Sequence, residues 1–188
     1  MNVILIGYRA TGKTSVGRRL AALLGFPFHD TDEAISKKTG STVRQLVAMG
    51  GWDLFRREER AVVAAFAEKD GCVLSLGGGA AVDQENTKRL RERGFLVWLK
   101  ADAETIARRL KGDEKSAEQR PPLADQDSRI EVSRMLRERE EVYRKAAHVS
   151  VETKGKTIEE VTGEIVRYLE KGNPSRPPLK LRGGENVQ

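Results

Sequence analysis

Short, uninterrupted apolar runs alternate along this chain with longer stretches in which apolar residues recur every three to four positions. Runs of the first kind suit strands buried on both faces, and stretches of the second kind suit helices with one apolar side. The pattern predicts five strands: Val3 to Ile6, Pro27 to Asp30, Val73 to Leu76, Phe95 to Leu99 and Val149 to Glu152. Between them it predicts helices over Lys13 to Leu24, Thr31 to Lys38, Val43 to Met49, Trp52 to Lys69, Gln84 to Arg93, Ala103 to Leu110, Ser128 to Ala146 and Ile158 to Leu169. Such alternation is the signature of an α/β fold, a parallel sheet flanked by helices. Two segments lack it. Gly112 to Asp127 is polar, carries Pro121-Pro122 and is expected to be a mobile lid. Residues 172–188, rich in Pro and Gly with little to bury, are expected to be a disordered tail behind one domain spanning 1–171.

With 188 residues the chain suits one core. The apolar run near its start, Val3-Ile4-Leu5-Ile6, is too short for a signal or a membrane span, so a cytoplasmic protein with no membrane partner is expected. Cys72 is the one cysteine and sits beside Val73 and Leu74, which suits a buried thiol with no chemical role. Lys and Arg number 34 against 28 Asp and Glu, a net charge of +6 that suits an anionic ligand. Aromatic residues make up only 5%, and none interleave with a basic run to form a stacking platform for bases. A phosphate-bearing small molecule is therefore expected rather than nucleic acid.

The chemistry begins at Gly7-Tyr8-Arg9-Ala10-Thr11-Gly12-Lys13-Thr14, a complete G-x-x-x-x-G-K-[ST] between a strand and a helix. Its glycines let successive amides curl around phosphate oxygens, the following helix adds its positive dipole end, Lys13 supplies a charge, and Thr14 suits a magnesium ion. Asp30-Thr31-Asp32 closes the second strand, where ligands bind in open parallel sheets. Asp30 could serve the metal through water and Asp32 could orient an attacking hydroxyl, although either could simply cap the next helix.

Arg56 and Glu59 share a helical stripe with Trp52, Val63 and Phe66, and Arg139 lies in a stripe with Val132, Leu136 and Tyr143. A structural Arg56–Glu59 pair accounts for part of this; two inward guanidinium forks also suit a carboxylate or phosphate ligand. Gly77-Gly78-Gly79 after the third strand allows a ligand close to the backbone, or only a flexible turn.

In this order the motifs resemble the shikimate kinases, P-loop kinases related in fold to nucleoside monophosphate kinases, from about Asn2 to Leu169. The resemblance rests on the phosphate loop, Asp30-Thr31-Asp32, Phe55-Arg56-Arg57 with Glu59, Gly77-Gly78-Gly79, and Arg139 in Arg139-Glu140-Glu141-Val142-Tyr143. It implies a three-layer fold with a five-stranded sheet, substrate-binding helices over about 31–66 and a lid over about 112–127. It implies transfer of phosphate from ATP, with Mg2+, to the 3-hydroxyl of shikimate, on the route to aromatic amino acids. ATP would then lie on Gly7, Ala10, Thr11, Gly12, Lys13, Thr14 and Ser15, with Arg109 near adenine and Arg120 in the lid. Shikimate would lie on Asp32, Arg56, Gly77, Gly78, Gly79 and Arg139. Catalysis would fall to Lys13, Asp32 and Arg120, metal binding to Thr14 and Asp30, and a monomer is expected. The chain departs from the family where Ala10 replaces a usual Gly, Trp52 a common Glu, and Pro122 a usual Leu. Gluconate and nucleotide kinases, or a basic regulatory protein binding ATP or RNA without turnover, remain alternatives on the residues alone.

Overall fold

The computed structural model describes residues 1–112 and 128–171. Residues 113–127, which hold all of the expected lid but Gly112 and include Arg120, and residues 172–188 lie outside the described residues. The elements run β1 (Asn2–Ile6), α1 (Lys13–Leu24), β2 (Phe28–Asp30), α2 (Thr31–Thr39), α3 (Val43–Ala67), β3 (Val73–Ser75), a single 3-10 turn (Ala80–Val82), α4 (Gln84–Arg93), β4 (Gly94–Lys100), α5 (Ala103–Lys111), α6 (Ser128–Ala146), β5 (Val149–Glu152) and α7 (Ile158–Lys171).

The five strands form one sheet in the order β2-β3-β1-β4-β5, and every pairing is parallel. β1 is central, and all five of its residues are buried. Because side chains alternate across a strand, its apolar run divides between two cores. Val3 and Leu5 join Val16 and Leu20 of α1 and Ile165 and Leu169 of α7. Ile4 and Ile6 join Phe55 and Phe66 of α3, Leu90 of α4 and Tyr143 of α6. Helix, sheet and helix thus make the three layers. A third cluster of Tyr8, Ala101, Ile106 and Val132 packs the phosphate loop, α5 and α6 together at the carboxyl ends of β1 and β4.

Local chemistry sets the helix ends. Thr42 and Gln45 form a reciprocal capping box at the start of α3, and Asp83 and Asp102 cap α4 and α5. The spacing separates Val43 to Met49 from Trp52 to Lys69; in the structure they follow one another as α3, broken by non-helical Gly50 and Gly51 and ending at Ala67. β3 ends at Ser75 rather than Leu76, β4 begins at Gly94 and continues to Lys100, and the 3-10 turn was not expected.

Candidate functional site

The phosphate loop links the carboxyl end of β1 to α1. Gly7 has φ 139 and Gly12 φ 94, and a Cβ at Gly7 would collide with the Leu99 carbonyl oxygen, so this backbone path requires glycine. The Lys13 ammonium is buried and donates to the carbonyls of Gly7 at 2.9 Å and Tyr8 at 2.8 Å. Thr11 Oγ1 donates to the same Tyr8 oxygen at 2.8 Å. Arg109, on α5, donates to Ala10 O at 3.1 Å and to Thr153 Oγ1 and O at 3.0 and 2.9 Å. Its guanidinium therefore braces the loop against the segment after β5. Lys13, Thr14, Ser15, Asp30 and Arg109 border an open cavity of about 730 Å3.

Asp30 performs two tasks. One oxygen caps α2, accepting from the amides of Asp32 and Glu33, so the capping reading holds for this residue. The other accepts from Thr14 Oγ1 at 3.0 Å. A hydroxyl and a carboxylate oxygen side by side at the phosphate loop are hard donors that fit a divalent ion of the magnesium type. Among the described residues no cluster of three or more His, Cys, Asp or Glu could hold a metal by itself, so such an ion would take its remaining ligands from phosphate and water.

A second cavity of about 460 Å3 opens beyond the loop and is lined by Asp32, Arg56, Glu59, the three glycines and Arg139, with Tyr8, Trp52 and Phe55 as aromatic walls. Five chain segments converge here: the phosphate loop, the start of α2, α3, the glycine triplet and α6. A Cβ on Gly77 would stand 2.6 Å from Asp32 Oδ1 and 2.9 Å from Glu59 Oε1, so glycine lets two carboxylates meet beneath the backbone. A Cβ on Gly79 would strike the Arg56 guanidinium. Arg56 is paired with Glu59 and lies over the rings of Trp52 at 5.5 Å and Phe55 at 5.2 Å. Arg139 donates to Gly78 O at 2.9 Å, Tyr143 Oη donates to the same oxygen, and the Arg139 guanidinium lies 5.6 Å from the Tyr8 ring centre. Burial pushes the Glu59 carboxyl up to about 7 against the opposing pull of Arg56, and Asp32 and Asp83 push it further.

The structure thus gathers Asp32, Arg56, Gly77, Gly78, Gly79 and Arg139 around one cavity and Ala10, Gly12, Lys13, Thr14, Ser15 and Arg109 around the other. Arg120 lies outside the described residues. Sequence reasoning missed Tyr8 and Arg9 as cavity walls because they occupy variable positions of the loop motif. It also treated Glu59 only as a partner of Arg56. The one usable signal for Glu59 was a carboxylate on an apolar helical stripe.

The sequence matches the family description "Shikimate kinase" over residues 9–170. The chain belongs to the shikimate kinase family. A shikimate kinase of Syntrophus aciditrophicus is 41% identical over 177 residues, 90% of this chain and 91% of that one. Another, of Pelotomaculum thermopropionicum, is 42% identical over 172 residues, covering 92% and 97%. Among solved structures, the shikimate kinase of Acinetobacter baumannii in complex with shikimate superposes with a TM-score of 0.84 at 31% identity, covering 93% of this chain and 95% of that one. Membership makes the chain a kinase, with ATP and a divalent ion as the expected reactants at the phosphate loop. No helix among the described residues is long and apolar enough to cross a membrane.

Proposed function

We propose that this kinase transfers the γ-phosphoryl group of ATP to the 3-hydroxyl of shikimate, giving ADP and shikimate 3-phosphate for aromatic amino-acid biosynthesis. The observation that carries the reading is that Asp32 lines both cavities, the one at the phosphate loop and the one flanked by Arg56 and Arg139. A carboxylate at that junction can accept the hydroxyl's hydrogen bond, hold the oxygen in line with the phosphoryl group and take its proton late in transfer. The forks of Arg56 and Arg139 suit the acceptor's carboxylate, and Gly78 and Gly79 let the ring lie against the backbone. Lys13 would exchange the carbonyls of Gly7 and Tyr8 for phosphate oxygens. Thr14 and Asp30 would hold Mg2+, which neutralises phosphate charge when bound. Most of the acceleration then comes from positioning and charge neutralisation.

The test is ADP release from purified protein with MgATP and either shikimate or gluconate. Turnover is expected with shikimate, and turnover confined to gluconate would refute the assignment. Asp32→Asn should lower kcat roughly 10²–10⁴-fold with little change in the KM for ATP, because only the hydroxyl loses its acceptor.

A further inference from the structure

We infer that Arg9 is a further catalytic residue, a second cation beside Lys13 that meets the phosphoryl group in transit between the two cavities; the inference rests on the kinase reading above. Among the described residues, the charged side chains that line both cavities are Asp32 and Arg9. Lys13 borders only the nucleotide side, and Arg56 and Arg139 border only the acceptor side. The acceptor's own carboxylate is thus provided for, whereas the guanidinium that a group crossing the junction meets among the described residues is that of Arg9.

The placement is built into the loop. The carbonyl before Arg9, that of Tyr8, accepts from Lys13 and Thr11, and the carbonyl of the next residue, Ala10, accepts from Arg109. The peptide unit that leads into Arg9 and the one that follows Ala10 are therefore held by side chains, which limits where the Arg9 stem can start. Its guanidinium lies 5.8 Å from the Tyr8 ring centre, a ring that also carries Arg139. A Cβ on Gly78 would stand 3.4 Å from the Arg9 amide nitrogen, so the loop and the acceptor wall lie in van der Waals range of each other at this residue. In a loose phosphoryl transition state charge spreads over three equatorial oxygens, and a preplaced cation at the crossing point stabilises it more than either ground state.

The experiment compares Arg9→Met, which removes the charge and keeps an unbranched stem, with Arg9→Lys. Arg9→Met should lower kcat roughly 10²-fold while both KM values stay within about threefold, and Arg9→Lys should recover part of that loss. Calorimetric binding of ADP with aluminium fluoride and shikimate, which mimics the planar phosphoryl group, should weaken in Arg9→Met while ADP alone binds as before. An unchanged kcat, a rise confined to the shikimate KM, or weakened binding of ADP alone would overturn the inference. So would full activity of Arg9→Lys and Arg9→Met alike. The wild type separates the two levels: no turnover of shikimate by wild type removes the kinase reading and the inference together. Turnover by wild type with an equally fast Arg9→Met removes the inference alone.

Discussion

Single residues in this site carry conflicts that can be measured. Ala10 is the one described non-glycine residue with positive φ, at 59, in a turn of the phosphate loop that glycine would adopt without strain. A Cβ in the left-handed region costs about 1–2 kcal/mol, partly offset by the lower chain entropy of alanine when unfolded. Ala10→Gly should therefore raise the unfolding free energy by up to about 1 kcal/mol, read as a higher Tm, with the Arg109 contact retained. A lower Tm would mean that the loop gains more from the methyl group than its backbone loses. Glu59 holds the second conflict: it is 1% exposed, pairs with Arg56, and faces Asp32 and Asp83 as neighbouring acids. Its folded value of about 7 lies above the 4.5 of the unfolded chain. The protonated form is thus the one the fold favours, and its contribution is complete below about pH 4.5 and lost as pH rises through about 7. Glu59→Gln, which keeps the shape and never ionises, should remove this slope, so wild type should lose stability relative to the variant between about pH 5 and pH 8. Parallel denaturation curves across that range would show that Arg56 keeps Glu59 ionised throughout.

At the scale of elements, the break in α3 decides how the acceptor wall is presented. Gly51 has φ 69 and ψ −174, a region open essentially to glycine alone, and nothing lies within 4 Å of a Cβ placed there. The cost of Gly51→Ala is therefore backbone strain rather than collision, about 1–3 kcal/mol. Because Trp52, Phe55 and Arg56 follow directly on the break, the variant should also raise the shikimate KM while sparing that for ATP, measured by initial rates against each substrate. Equal effects on both would place the strain elsewhere. This break was legible in the sequence, since Gly50-Gly51 interrupts the helical spacing at the point where the two helices separate. So were the five strands and the phosphate loop, all of which depend on residues adjacent in the chain. Strand order was not legible from periodicity, because pairing β1 between β3 and β4 brings distant segments together. The same holds for the convergence of Gly77, Asp32 and Glu59, which only the packed sheet and helices produce. Arg9 was hidden for another reason: its position in the loop motif tolerates any residue, so the motif is silent about it.

In the whole molecule the two cavities draw on partly different parts of the fold. They share Arg9, Asp32 and Val43, but Lys13, Thr14 and Ser15 of α1 and Arg109 of α5 border only the nucleotide side, whereas Arg56 of α3, the glycine triplet and Arg139 of α6 border only the acceptor side. Each ligand should therefore stabilise the protein through its own elements, and each effect should be separable. A ligand at about one hundred times its Kd contributes about 2.7 kcal/mol of stability. For a domain of this size that is a rise in Tm of roughly 5–10 °C. Arg139→Lys is the variant that divides the two. A lysine can still donate once to the Gly78 carbonyl, but it cannot also present the flat paired donors that grip a carboxylate. In scanning calorimetry the variant should keep the Tm of the free protein within a few degrees and keep the full shift with ADP and Mg2+, while losing most of the shift with shikimate at the same concentration. A large fall in Tm of the free protein with the shikimate shift preserved would give the opposite answer, that Arg139 serves to tether Gly78 to α6 and that Arg56 alone meets the acceptor's anion.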